Sequence, residues 1–158
     1  KELYKYGCAF KDGFYSIYQK DIFDALTPSE MCTLIVGEGT IITMDDLIEN
    51  VEEYDYEKDS PQIKMLFEII VEMSNSERSN LIKFITGCER LPIGGLKNLH
   101  PKLTIARKKS ENGKDDETLP SVMTCTNYFK LPSYSSKEIM RSKILFAISE
   151  GNDSFLLT

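Results

Sequence analysis

The sequence has no tryptophan, one histidine and only four cysteines among its 158 residues. Its apolar residues never form a run near the ~18 positions that a membrane-spanning helix requires, so we expect no membrane span. The cysteines are widely spaced and include no Cys-x-x-Cys pair, which argues against a zinc site and against a disulfide scaffold. We therefore expect no metal, no organic cofactor and a reducing intracellular compartment.

The charge balance of the chain is acidic. Asp and Glu number 25 against 19 Lys and Arg, which gives a formal net charge of −6. This balance argues against nucleic acid as the main partner, because binding of phosphates requires a net basic face. With 41% apolar residues the chain can bury a core, and its length fits one domain or parts of two. Because it does not begin with Met, we expect it to be cut from a longer protein.

Helix signals occur along the whole chain. Apolar residues recur at helical spacing, and Ser-x-x-Glu capping boxes, Pro and Gly mark the ends. In the N-terminal third, Thr27-Pro28 and Asp45-Asp46 start two shorter helices. The three longer helices, with the residues that start or end them, are about 61–73 (Ser60-Pro61), about 75–86 (Ser74 and Glu77, ending at Gly87) and about 136–149 (Ser135 and Glu138, ending at Gly151).

Strand signals are shorter and lie in the second half. Alternating or β-prone residues predict strands over 103–107, around Val122 and Thr124, and over 128–131, so the fold class is α+β. The polar stretch 108–117 predicts a mobile surface loop. The acidic stretch 45–59 is interpreted as a connector between two packed units, with a solvated helix face and loop as the alternative.

Cys125 is the residue best placed for chemistry. It lies among hydroxyl and amide residues in a short β-prone piece, which suits a reachable thiol, whereas Cys32 and Cys88 are interpreted as small buried packing residues. His100 is the only histidine that a Cys–His hydrolase could use as its base. A non-catalytic interaction module, in which Cys125 also only packs, stays open.

The basic run 97–109 is interpreted as a solvated strand and loop, because it has no aromatic residue for base stacking.

Five segments stand in a fixed order in the second half of the chain: Phe84–Gly87, Arg90–Leu96, Leu119–Asn127, Leu131–Ser136, and Glu150-Gly151 followed by Phe155. In this order and spacing they resemble the C-terminal end of the HECT-type ubiquitin ligases. The stretch 10–37 is similar to the last part of the N-lobe of that family. The resemblance is strongest to the ubiquitin-fusion-degradation and thyroid-receptor-interacting branch, and within it to the fungal member.

The resemblance implies a catalytic domain of two lobes. Residues 1–49 would be the C-terminal, helical part of the N-lobe, residues 50–54 the interlobe hinge, and residues 55–158 a small C-lobe of short β-strands with packed helices. The partners implied are ubiquitin, a conjugating enzyme that binds mainly the N-lobe upstream of this chain, protein substrates and the proteasome. The implied location is the cytoplasm, the nucleus or both.

The resemblance also implies roles for individual residues. Cys125 matches the family nucleophile, which accepts ubiquitin as a thioester and transfers it to a substrate lysine. Thr124, Thr126 and Asn127 would hold the loop or the developing oxyanion. Phe155 would dock the chain end, where Asp153 or the carboxylate of Thr158 would supply negative charge for lysine transfer.

The chain departs from the family pattern at two positions near the cysteine. Met123 stands where many relatives have His, and Thr126 stands where many have Phe. These differences argue against a His-assisted step but leave the cysteine assignment intact.

Overall fold

The computed structural model of the chain describes residues 2–155 except 19, 38, 40, 58 and 111–112, and the side chains of 2, 3, 22 and 152–155 lie outside the description. The chain divides into two compact units, Lys1–Val36 and Gly37–Thr158. The candidate site lies entirely in the second unit.

The first unit is helical, as predicted for the N-terminal third. An aromatic cluster is centred on Phe14, whose ring lies 4.8 Å from that of Tyr18 and 5.0 Å from that of Phe23. The Glu30 carboxylate accepts a hydrogen bond from the Thr27 backbone N–H at 2.7 Å, which confirms Thr27 as a helix start. The helices are α1 (Glu2–Ile17), α2 (Lys20–Asp24) and α3 (Pro28–Val36).

The helices of the second unit are α4 (Met44–Asn50), α5 (Pro61–Glu72), α6 (Asn75–Thr86) and α7 (Lys137–Phe155). The predicted helices over 61–73 and 75–86 are confirmed. Ser74 and Glu77 form a reciprocal capping box at the start of α6, and Gly87 ends it in the left-handed conformation with φ of 80°. Ser60 precedes Pro61 at the start of α5, but its side chain makes no capping hydrogen bond.

The start of α7 differs from the prediction by one residue. The Ser136 hydroxyl, rather than that of Ser135, accepts the backbone N–H of Ile139 at 3.3 Å. Ser135 instead donates its hydroxyl and its N–H to the carboxylate of Asp116, at 2.6 and 2.8 Å. The polar stretch 108–117 is therefore tied to the chain just before α7 near its end.

The predicted end of α7 at Gly151 is wrong, because the helix continues to Phe155. A Cβ atom at position 151 would lie 2.7 Å from the ring of Phe84 on α6. Gly151 is thus explained by close packing of the helix against an aromatic ring and not by a helix end.

The described residues of the second unit form a four-stranded mixed sheet in the order β1-β2-β4-β3. β1 is parallel to β2 and β2 to β4, while β3 and β4 are antiparallel. The three predicted strands are confirmed, with small differences in their ends. The strands are β1 (Glu52–Tyr54), β2 (Thr104–Arg107), β3 (Ser121–Met123) and β4 (Tyr128–Leu131).

Strand β1 lies in the acidic stretch that we interpreted as a connector. Its three side chains are exposed, so it has no alternation of buried and exposed residues from which a strand could be predicted. It is held by its backbone, beginning with the Glu52 N–H, which donates to the Leu103 carbonyl at 2.9 Å. The residues of the predicted hinge, 50–54, therefore run from the end of α4 through β1. The lobe boundaries stay a prediction.

The core lies between the sheet and helices α5, α6 and α7. Phe129 in the centre of β4 is fully buried, and its ring meets that of Phe84 edge to face at 6.4 Å. Tyr134 is also fully buried and donates its hydroxyl to the Thr118 carbonyl at 2.7 Å. These contacts fix the strands that flank the turn carrying Cys125.

Candidate active site

Cys125 lies on a single 3-10 turn, Thr124–Thr126, that connects β3 to β4. The turn is closed by the Asn127 N–H, which donates to the Thr124 carbonyl at 3.3 Å, and by the Thr126 hydroxyl, which donates to the Met123 carbonyl at 3.3 Å. The Cys125 side chain is exposed. A thiol at this place can be reached by a large partner without any opening of the fold.

Asn127 anchors this turn to the rest of the unit. Its φ of 52° is in the left-handed region, which Asn adopts more readily than most residues. Its side chain is buried, and the amide Nδ2 donates to the Pro101 carbonyl at 2.6 Å. Its own carbonyl accepts the Thr104 N–H at 3.1 Å. The backbone directly after the cysteine turn is thus fixed to the start of β2.

The two threonines beside Cys125 differ in their surroundings. Thr126 is exposed and its hydroxyl is engaged by the Met123 carbonyl. Thr124 is half-buried, and its hydroxyl makes no hydrogen bond to any other described residue. Thr124 is therefore the hydroxyl that is free to donate to a group bound at the cysteine.

Exposure alone does not single out Cys125. Cys32 and Cys88 are exposed as well, so the prediction that they are buried packing residues is wrong. Cys32 lies on α3, which has no buried residue, and Cys88 follows the end of α6 at Gly87. The apolar residues that follow Cys32 in sequence and suggested its burial, Leu34 and Ile35, are themselves exposed.

His100 does not form a dyad with Cys125 in this structure. The histidine is exposed in the loop before β2, and no hydrogen bond within the described part of the chain joins it to the thiol. What this loop contributes to the site is the carbonyl of Pro101, which receives Asn127.

A groove of about 770 Å³ opens beside the cysteine turn, on the outer side of the sheet. We call it the cationic groove, because four of its lining residues carry positive charge and one carries negative charge. Burial and the nearby charge of Lys130 lower the pKa of Lys108, in that order of importance. The lining includes the cations Arg107, Lys108, Lys109 and Lys130, the carboxylate Asp55, the aromatic residues Tyr54 and Tyr128, and Met123 and Thr126 from the cysteine turn.

The whole chain, residues 1–158, matches the family described as HECT-domain (ubiquitin-transferase). The chain belongs to the HECT-domain family. It is 39% identical to E3 ubiquitin-protein ligase UPL4 of Arabidopsis thaliana and 41% identical to ubiquitin fusion degradation protein 4 of Saccharomyces cerevisiae, in each case over 95% of this chain. It is 39% identical to E3 ubiquitin-protein ligase TRIP12 of Danio rerio, again over 95% of its length. The chain spans about a tenth or less of these relatives, with 10%, 10% and 8% of their lengths covered.

Membership of the HECT-domain family confirms the resemblance found in the sequence, and these relatives represent the branch that the sequence indicated. The individual site residues stay predictions. Phe155 is the last residue of α7, but its side chain lies outside the described residues, as do the side chain of Asp153 and the whole of Thr158. The role of the chain end in lysine transfer therefore stays a prediction.

Within the part of the chain that the structure describes, no group of three or more His, Cys, Asp or Glu side chains is arranged to hold a metal ion. None of the described helices combines the length and the apolar character that a membrane crossing requires.

Sequence reasoning missed the cationic groove, and although it expected Asn127 to hold the loop, it did not identify the Pro101 carbonyl as the partner of its side chain. Both depend on contacts between segments far apart in the chain, such as Asp55 with Lys109 and Asn127 with Pro101. The only local signal for the anchor was an Asn at the end of a turn, where a left-handed residue is common.

Proposed function

We propose that this chain carries the ubiquitin-accepting cysteine of a ubiquitin-protein ligase and that Cys125 is this cysteine. The proposal is supported above all by one observation: in a chain of the HECT-domain family, the cysteine expected to react stands exposed on a turn whose backbone is fixed on both sides. The partners of the reaction are ubiquitin, a conjugating enzyme that holds it as a thioester, and a protein that presents a lysine.

The first step is an exchange of thioesters. The Cys125 sulfur attacks the carbonyl carbon at the C-terminus of ubiquitin, a new C–S bond forms, and the C–S bond to the conjugating enzyme breaks. The leaving group is the thiolate of that enzyme, and the proton of the Cys125 thiol passes to it or to water. Because a thiolate is a good leaving group, the step needs alignment of the two sulfurs more than a strong base.

The second step transfers ubiquitin to the acceptor. The neutral amine of a lysine attacks the same carbonyl carbon, a C–N bond forms, and the C–S bond to Cys125 breaks. The sulfur leaves as thiolate, and the proton lost by the amine returns it to the thiol or passes to water. The Thr124 hydroxyl is the nearby donor free to stabilise the oxyanion that develops on the carbonyl oxygen.

A thioester assay with the full ligase that contains this chain tests the assignment. The ligase is incubated with activating enzyme, conjugating enzyme and ubiquitin, and the adduct is followed on a non-reducing gel. We expect Cys125→Ala to abolish the thiol-sensitive adduct and Cys125→Ser to give an adduct that survives thiol treatment, because an oxyester is not cleaved by thiols under these conditions.

Cys88 provides a matched control, since it is an exposed cysteine of the same unit. Cys88→Ser should load ubiquitin like the wild type. His100→Ala should also load normally, because no hydrogen bond joins His100 to the thiol among the described residues. An adduct that persists in Cys125→Ala, or one that disappears in Cys88→Ser, would place the reactive thiol elsewhere.

A further inference from the structure

The cationic groove adjoins the turn that carries Cys125. Thr126, the residue after Cys125, and Met123, two residues before it, are both part of its wall. Met123 is 47% exposed and Tyr54 is 61% exposed, so apolar surface in the groove is open to a partner. The rings of Tyr54 and Tyr128 lie 6.3 Å apart. A chain segment resting here would hold its side chains next to the thioester.

The positive charge of the groove is only partly neutralised by the protein itself. Lys109 pairs with Asp55 at 3.2 Å, and Lys108 donates its Nζ to the Leu119 carbonyl at 2.8 Å, a neutral acceptor. Arg107 and Lys130 form no ion pair with any other described residue. The groove therefore presents several cations and no spare carboxylate to an incoming segment.

This local charge is opposite in sign to that of the chain, which carries a formal charge of −6. Carboxylates of a partner are therefore attracted to the groove beside the cysteine turn, although the chain as a whole carries an excess of negative charge.

We propose that the cationic groove binds the acceptor protein and selects segments in which the accepting lysine is flanked by Asp or Glu. This proposal rests on the proposed function, because it names the substrate class of the same site. The acceptor's carboxylates lie against Arg107 and Lys130, and its backbone rests on Met123 and the tyrosine pair. The lysine amine then reaches the ubiquitin carbonyl held on Cys125, the C–N bond forms and the C–S bond breaks.

The test uses the full ligase, preloaded with ubiquitin and freed of conjugating enzyme. Its discharge is timed with two peptides of equal length, each with a single lysine flanked either by Glu or by Gln. Rates are normalised to the loaded thioester, so that differences in loading do not enter. We expect the Glu peptide to discharge the wild type about three- to tenfold faster, the range of one to two exposed charge pairs, and the ratio to fall as salt is raised.

Two charge reversals in the groove, Arg107→Glu with Lys130→Glu, should bring the ratio to one or below. Arg90→Glu with Lys97→Glu is the matched control, because both residues are exposed cations of the same unit outside the groove and the two reversals change the net charge by the same amount. This control should keep the wild-type ratio. An equally large fall of the ratio in the control would mean that net charge alone causes the effect, and it would overturn the proposal.

Other results of the loading and discharge assays show which of the two proposals fails. If Cys125 never loads, the proposed function fails. If it loads and both peptides discharge it equally fast, only the groove proposal fails. If the double variant instead slows loading and the peptide ratio is one in the wild type, the groove contacts the donor ubiquitin. If single-stranded RNA slows discharge while the two peptides remain equal, the groove binds nucleic acid, and the proposal is overturned.

Discussion

Replacing Asn127 with alanine is the sharpest test of how the cysteine turn is held. The wild-type side chain donates from Nδ2 to the Pro101 carbonyl at 2.6 Å, and the residue has φ of 52°. Alanine removes the donor and is also less suited than Asn to the left-handed conformation. The substitution therefore lowers the free energy of unfolding in two ways, through the lost hydrogen bond and through the backbone conformation. Two further variants measure these contributions separately.

The magnitude follows from these two terms. Loss of the hydrogen bond costs about 1–2 kcal/mol, the lower part of the range for a buried polar group left unpaired, because this bond is only partly buried. The left-handed conformation adds about 1 kcal/mol for alanine relative to Asn. The free energy of unfolding should fall by about 2–3 kcal/mol, a large part of the ~5–15 kcal/mol typical of a domain. With an m-value of about 2 kcal/mol/M, the urea midpoint moves down by about 1–1.5 M.

The assay is urea unfolding of the chain followed by circular dichroism, with ubiquitin loading of the full ligase as the second readout. Asn127→Gly should lose only the free energy of the hydrogen bond, because glycine adopts the left-handed conformation readily. Asn127→Asp keeps the side-chain shape but cannot donate when ionised, so it should be at least as unstable as the glycine variant. All three should load ubiquitin more slowly per folded molecule. If Asn127→Asp unfolds at the wild-type urea concentration, the hydrogen bond does not hold the turn.

Two further predictions concern pH. Hydrogen bonds from the Ser135 hydroxyl and N–H lower the pKa of Asp116, so the stabilisation that they give is present above the ordinary carboxyl pKa and is lost as the pH falls through the lowered one. Asp116→Asn should therefore show a smaller loss of stability between about pH 5 and pH 3 than the wild type, measured by urea unfolding at each pH. Burial raises the pKa of Tyr56 to about 12, which favours the neutral phenol. The neutral, buried Tyr56 stabilises the fold below the ordinary tyrosine pKa of about 10, and this stabilisation is lost as the pH rises towards about 12. In Tyr56→Phe the free energy of unfolding, measured by urea unfolding at each pH, should therefore fall less between about pH 10 and pH 12 than in the wild type. An unchanged profile in either variant would contradict the corresponding prediction.

Helices with local end signals were the part of the fold that the sequence predicted best. Ser74 and Glu77 act three residues apart at the start of α6 and Gly87 acts at its end, and the structure uses all three as expected. Gly151 failed as a stop signal because glycine has two uses, and the second, close approach to another side chain, depends on Phe84 far away in sequence. A local pattern cannot distinguish these uses.

Strand β1 escaped prediction for a related reason. Its side chains are all exposed, and what makes it a strand is a row of backbone hydrogen bonds to β2, about fifty residues later in the sequence. Backbone pairing leaves no trace in the composition of a three-residue edge strand. The acidic residues that suggested a connector are compatible with such an edge, where charge discourages pairing with other chains.

The same distinction between local sequence signals and contacts between distant segments applies to the candidate site. Cys125 was predicted from its polar neighbours in sequence and from the family resemblance, whereas the Pro101 partner of Asn127 lies far away in sequence and no local pattern predicts it. Cys88 is also exposed and stands beside a left-handed glycine, yet it follows the end of a helix. Cys125 instead lies between two paired strands, with Asn127 fixing the backbone directly after it. Since exchange between thioesters depends on alignment more than on a base, a fixed backbone beside an open groove is the property that a ubiquitin-accepting thiol requires, and exposure by itself is not.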